Sequence, residues 1–225
     1  MTRGIFIVGN ESVLSRAVEA EALNRVEQYA VASIPNRFSE ISFSSGARVS
    51  ESETSQRLLC DWNPSSPISA RTVVIAAENR LEHIDEAVLI CLPPSIRSNP
   101  GELPLSAVEI MINDNIKGWF FLVKEITKVF KEKKHGTLAL VYPDIASSVK
   151  DDAAEILGPS AVASFRALTQ GLLTAAHREP YITMGFSVSD AGNESAFAAF
   201  LFKIIDEAAD KSKGKMHKFG KFKFF

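Results

Sequence analysis

Short apolar runs, each closed by glycine, proline or a charged residue, alternate along this chain with stretches whose apolar positions keep helical spacing. Residues 4–9 (Gly-Ile-Phe-Ile-Val-Gly) form the first run and predict a buried strand. Ser12 is placed to cap the helix that follows, where Val13, Leu14, Ala17, Val18, Ala20 and Leu23 share the helical period. Residues 29–34 predict a second strand stopped at Pro35, and 36–56, rich in Ser, Glu and Arg, predict a loop. A brief third strand is expected at 57–61, then a helix entered through Ser66-Pro67 with Ile68, Ile75 and Leu81 on one face. Residues 86–92 predict strand four, closed by Pro93-Pro94. A long helix over 105–133 follows, strand five over 137–142, and a second long helix over 152–177 with a break near Gly158-Pro159. Strand six is expected at 182–188 and a last helix at 194–209. This alternation predicts an α/β fold, a doubly wound and mostly parallel sheet with helices on both faces, as one domain over residues 1–225.

Composition removes whole classes. A chain of 225 residues, 46% hydrophobic and 23% charged, can bury about 70% of its unfolded surface in one core without disulfide staples. A net charge of −2 excludes a wholly basic nucleic-acid binder. Cys60 and Cys91 each lie within an apolar stretch and fit a reducing compartment. No apolar run reaches the ~18–20 residues of a spanning helix and no export signal opens the chain, so a cytoplasmic location is expected. The tail over 211–225 interleaves Lys211, Lys213, Lys215, Lys218, Lys221 and Lys223 with Phe219, Phe222, Phe224 and Phe225. It reads either as a basic-aromatic strip for nucleic acid or anionic lipid, or as an edge strand with lysines outward. Alternation by two from Lys221 to Phe224 favours the strand.

Several local phrases add a second pattern. Val8-Gly9-Asn10-Glu11-Ser12-Val13-Leu14-Ser15 ends the first strand, Cys60-Asp61-Trp62 the third, and Ile84-Asp85 leads into Val88-Leu89-Ile90. Asn115-Ile116-Lys117-Gly118 lies on the first long helix and Ser164-Phe165-Arg166-Ala167-Leu168 on the second, with Gly136-Thr137-Leu138 opening strand five between them. In this order they resemble the short-chain dehydrogenase/reductase family over nearly the whole chain, at its Thr-Gly-x-x-x-Gly-x-Gly turn, strand-three Asp, fourth strand, Asn-x-x-Gly and Ser-Lys-x-Ala-Leu phrases. The resemblance implies a Rossmann-like fold that binds NAD(P) and carries out oxidoreductase chemistry. It implies Gly9 and Asn10 at the phosphate turn, Asp61 accepting from the adenine amine, and Arg37 facing the 2′-phosphate of an NADP-type cofactor. Each has a plain alternative: a simple strand-to-helix turn, a surface carboxylate, a solvated loop arginine.

The chemistry implied by the resemblance needs a tyrosine to move the hydroxyl proton and a lysine four residues on to lower its pKa. It also needs a serine on the substrate oxygen and an asparagine seating a water. Those places hold Ala161, Phe165 and Pro143, and only Asn115 survives. Four residues after Tyr29, Tyr142 and Tyr181 come Ser33, Ala146 and Gly185, so no Tyr-x-x-x-Lys exists. Tyr142, at the end of strand five, is either a displaced acid or a buried strand tyrosine. Val13 and Ser15 replace the second and third glycines of the turn, and residues 187–193 leave no room for a substrate lid. His83, His135, His177, Cys60 and Cys91 lack metal-ligand spacing, and no Gly-x-Ser-x-Gly elbow occurs.

The first long helix is apolar around most of its circumference through Ile116, Trp119, Phe120, Leu122, Val123, Ile126, Val129 and Phe130. The second adds Val162, Phe165, Leu168, Leu172 and Leu173, with Ala161, Ala163, Ala167 and Gly171 permitting close approach. This surplus, like the resemblance, predicts a homodimer or homotetramer through 105–133 and 152–177. The expectation is therefore a catalytically inactive, oligomeric and nucleotide-sensing relative of the family. The alternatives are an NAD(P)-dependent oxidoreductase with an atypical active site, and a binding module acting through the tail.

Overall fold

The structure is a computed structural model and describes residues 3–40, 54–144, 155–189 and 192–220. Seven strands pair in parallel: β1 (Ile5–Asn10), β2 (Tyr29–Ile34), β3 (Arg57–Leu59), β4 (Glu86–Ile90), β5 (Thr137–Pro143), β6 (Ile182–Val188) and β7 (Met216–Phe219). Their order is β3-β2-β1-β4-β5-β6-β7, so the chain reverses its direction of travel between β1 and β4. That reversal opens the crevice where open α/β sheets take ligands.

Side-chain alternation splits β1 between two cores. Phe6 and Val8 face the layer of α2 (Pro67–Leu81), α4 (Gly118–Lys133) and α5 (Leu157–Ala175). Ile5 and Ile7 face α1 (Val13–Leu23) and α6 (Glu194–Ser212). A strand covered on both faces needs a continuous apolar run, which is what residues 5–8 supply. Ser12 starts α1 by accepting the Ser15 N–H at 3.0 Å, and Ser66 starts α2 by accepting the Ser69 N–H at 3.2 Å ahead of Pro67. After α4 the chain turns through Lys134 and Gly136, whose φ of +138° and contact with the Phe130 ring admit no side chain.

The long run over 105–133 is α3 (Leu105–Ile112), one wide π turn over Asn113–Lys117, and α4, without a break. Several expected boundaries move. Strand three ends at Leu59 and strand four at Ile90, although the Cys91 N–H still donates to Val141 O. The break expected near Gly158-Pro159 is instead the first turn of α5, where a proline has no helical hydrogen bond to lose. Residues 151–154 lie outside the described residues, and α6 runs on to Ser212.

The outer face of α4 is also less apolar than its sequence pattern implies. Trp119, Leu122, Val123, Ile126 and Phe130 all point into the sheet-side core, and Lys124, Lys128 and Lys131 are exposed. Trp119 therefore belongs to the core and not to a free face. At the far edge β7 adds to β6, with the Phe219 ring 5.6 Å from Phe197 and 5.5 Å from Phe200. A strand thus opens the tail over 216–219, while Lys221 to Phe224 lie outside the described residues.

Candidate functional site

The turn after β1 is closed by its own side chains. A Cβ on Gly9 would come 2.8 Å from the Ile90 carbonyl oxygen, so the glycine is required by the β1–β4 pairing itself. At the place of the third glycine, the Ser15 hydroxyl donates to the Asn10 carbonyl at 2.7 Å and lies 2.8 Å from the Ser12 hydroxyl. Helix N-termini attract phosphate through free amides. Here the Ser15 amide is taken by Ser12, Val13 stands 71% exposed at the entrance, and the Glu11 carboxylate pairs with Arg16 beside it. These contacts crowd the helix end that a dinucleotide pyrophosphate would approach and leave it fewer free amides.

The π turn brings two consecutive polar residues inward. Asn115 is buried, and its Oδ1 accepts from Asn10 Nδ2 at 3.4 Å, tying the helix to the end of β1. Asp114 is 0% exposed, and neither of its oxygens has a hydrogen-bond partner among the described residues. Its compensation among the described residues is the Arg37 guanidinium, with Nε 3.4 Å from Oδ2. Burial holds the Asp114 carboxyl above the usual carboxylate range, and Arg37 opposes the shift. A second nitrogen of Arg37 donates to Asn63 Oδ1 at 2.8 Å, just past β3. Asp61, two residues before Asn63, is exposed.

Where proton transfer would need a tyrosine and a lysine, the protein has packing. Ala161 and Phe165 are 0% and 1% exposed. The Phe165 ring meets Trp119 edge-on at 5.0 Å and Tyr142 at 6.3 Å, and Trp119 meets Trp62 at 5.8 Å. These four rings line up inside the larger core. The Tyr142 hydroxyl lies 3.6 Å from the Met216 sulfur, and burial raises its pKa, the wrong direction for a group that must give up a proton. Burial likewise pushes the Cys91 thiol far up, so it holds no thiolate for nucleophilic attack.

Of the residues singled out from the sequence, Gly9, Asn10 and Asn115 meet at the end of β1. Arg37 reaches the same π turn from β2, while Tyr142 points toward β7. Sequence reasoning missed Asp114 and Asn63; the one available signal was an aspartate directly ahead of Asn115 in a helix otherwise apolar on that side. A cavity of about 460 Å³ opens at the opposite, N-terminal ends of the strands, lined by Arg3, Arg25, Arg80, Glu27 and Glu82. Arg3 and Arg25 are already matched by Glu86, Glu21 and Asp206.

Solved structures resemble this one in fold. A Serratia marcescens short-chain dehydrogenase/reductase variant superimposes with a TM-score of 0.73 at 13% identity, over 96% of this chain and 95% of its own. A short-chain type dehydrogenase/reductase from Mycobacterium marinum gives 0.75 at 13% identity over 96% and 92%, and levodione reductase 0.73 at 13% over 96% and 95%. The chain therefore has the short-chain dehydrogenase/reductase fold. No family model and no curated protein matches its sequence.

Proposed function

We propose that this chain uses the short-chain dehydrogenase/reductase fold without its redox chemistry, as a self-associating protein. Phe165 carries the reading. A fully buried ring held by Trp119 and Tyr142 fills the place where the chemistry needs a cationic amine, and Ala161 leaves no phenol beside it. The pinned turn at Gly9 and Ser15 weakens the case for a dinucleotide as well. Buried cysteines outside any disulfide, Cys60 and Cys91, support a reducing, cytoplasmic setting, and no described helix is long and apolar enough to cross a membrane. The test is turnover with NADH or NADPH against a panel of carbonyls, and with the oxidised cofactors against alcohols. None is expected; turnover that Tyr142→Phe abolishes would overturn the reading.

Self-association rests on what remains outside the core. Phe120 is 48% exposed and Ile112 42%, on the outward side of the α3–α4 run, and α5 exposes the small residues Ala163, Ala167 and Gly171. An apolar strip beside a small-residue strip suits a two-fold contact of the helix pair with its own copy. Light scattering across dilution should show a dimer or tetramer that Phe120→Glu dissociates. A wild type that stays monomeric at high micromolar concentration would refute it.

A further inference from the structure

We infer that Asp114 masks Arg37, and that the Arg37–Asp114 contact closes the nucleotide end of the cleft against NADP(H). The inference rests on the reading of this cleft as one that has lost the redox chemistry of the fold. Arg37 follows β2, the place from which a guanidinium reaches a 2′-phosphate in dinucleotide folds. Instead it turns toward the π turn, 3.4 Å from a carboxylate that is 0% exposed, while its other arm holds Asn63. The ends of β2 and β3 are thereby strapped to the helix across the end of β1. Asn10 and Asn115 make a second strap alongside.

Two costs stand between this guanidinium and a phosphate. Withdrawing Arg37 leaves Asp114 buried and uncompensated, with no hydrogen-bond partner for either oxygen among the described residues. Leaving Arg37 in place sets the incoming dianion beside a carboxylate of like sign. Neutralising Asp114 removes both costs at once and frees an arginine with the right fork geometry.

The experiment is calorimetric titration of the full chain with NADPH and, separately, with NADH. Wild type is expected to bind neither up to millimolar concentration. Asp114→Asn, which keeps the side chain's size, should bind NADPH at least tenfold tighter than wild type and at least tenfold tighter than it binds NADH. Adding Arg37→Ala should erase that preference. Micromolar binding by wild type would overturn the inference. So would Asp114→Asn and Asp114→Ala variants that keep the wild-type circular dichroism and bind no better, or a gain indifferent to Arg37. If Asp114→Ala unfolds, the isosteric variant decides alone. Binding without turnover leaves the non-redox reading standing, and turnover by wild type ends that reading whatever Asp114 does.

Discussion

The two halves of the cleft are built in different ways. At the end that the resemblance assigns to the substrate, the chain is core: Ala161 and Phe165 are sealed, and the Phe165 ring meets those of Trp119 on α4 and Tyr142 on β5. At the nucleotide end, polar residues persist and bind one another: Asn10 with Asn115, Arg37 with Asp114 and Asn63. A filled site contributes to stability and resists restoration, because any polar replacement must empty the core first. A tied site contributes little net, because the attraction across the Arg37–Asp114 contact is offset by the desolvation of a carboxylate that is 0% exposed. On the proposed reading, volume closes the substrate end and charge the nucleotide end.

Breaking the filled half should give the largest effect. Phe165→Ala is expected to cost about 3–5 kcal/mol in urea unfolding, while Asp114→Asn, which removes the buried charge together with its tie, costs under about 1 kcal/mol. Equal losses would erase the distinction between the halves.

Glu86 sharpens the comparison from the opposite, N-terminal ends of the strands, since it too is a buried carboxylate facing one arginine. Its Oε1 accepts from Arg3 at 2.6 Å, its Oε2 has no partner among the described residues, and burial raises its pKa from 4.5 to about 7 against the pull of Arg3. The folded protein thus keeps this proton at pH values where the unfolded chain has released it. Its contribution is fully present below pH 4.5, falls as pH rises toward 7 and is gone above that. Between pH 5 and pH 8 the wild type should lose roughly 2 kcal/mol relative to Glu86→Gln, measured by urea unfolding at both values. A pH difference of zero would mean that Arg3 holds the carboxylate ionised throughout.

The smallest effect belongs to the turn. Ser15→Gly restores a glycine at the place of the family's third one but removes the hydroxyl's bond to the Asn10 carbonyl. It should cost about 1 kcal/mol and, made alone, bring no dinucleotide binding by calorimetry, because the Arg37–Asp114 tie remains. Binding gained from this change alone would shift the closure from the tie to the turn.

The sheet was legible because a strand buried on both faces must be an unbroken apolar run, and residues 5–8 and 86–90 leave no other reading. The inward placing of Ala161 and Phe165 was legible from spacing along one helix, since they sit four apart and share a face. Asp114 was not, because an aspartate beside an asparagine reads as a helix surface, and no local residue announces the wider turn that carries both. Trp119 and Phe120 show the same limit. Adjacent aromatics in an apolar helix do not say which one meets the sheet, and the long-range contact with Trp62 decides it. Pro159 misled in the other direction: proline breaks helices in the middle and starts them at the end, and only the fold says where the end is.

The place of β1 between β2 and β4 also governs how the chain comes to be folded. A strand buried on both faces precedes its partners in the chain and stays open along one edge until β4 has emerged, with Ile5 waiting for Glu86. Pairings that span so much intervening chain form slowly, on the order of milliseconds to seconds, and an apolar strand with an unpaired edge is a template for a neighbour's strand during that wait. For this protein the interval between the emergence of β2 and that of β4 is when the nascent chain is most exposed to aggregation, and Val88 and Leu89 are the residues whose arrival ends it.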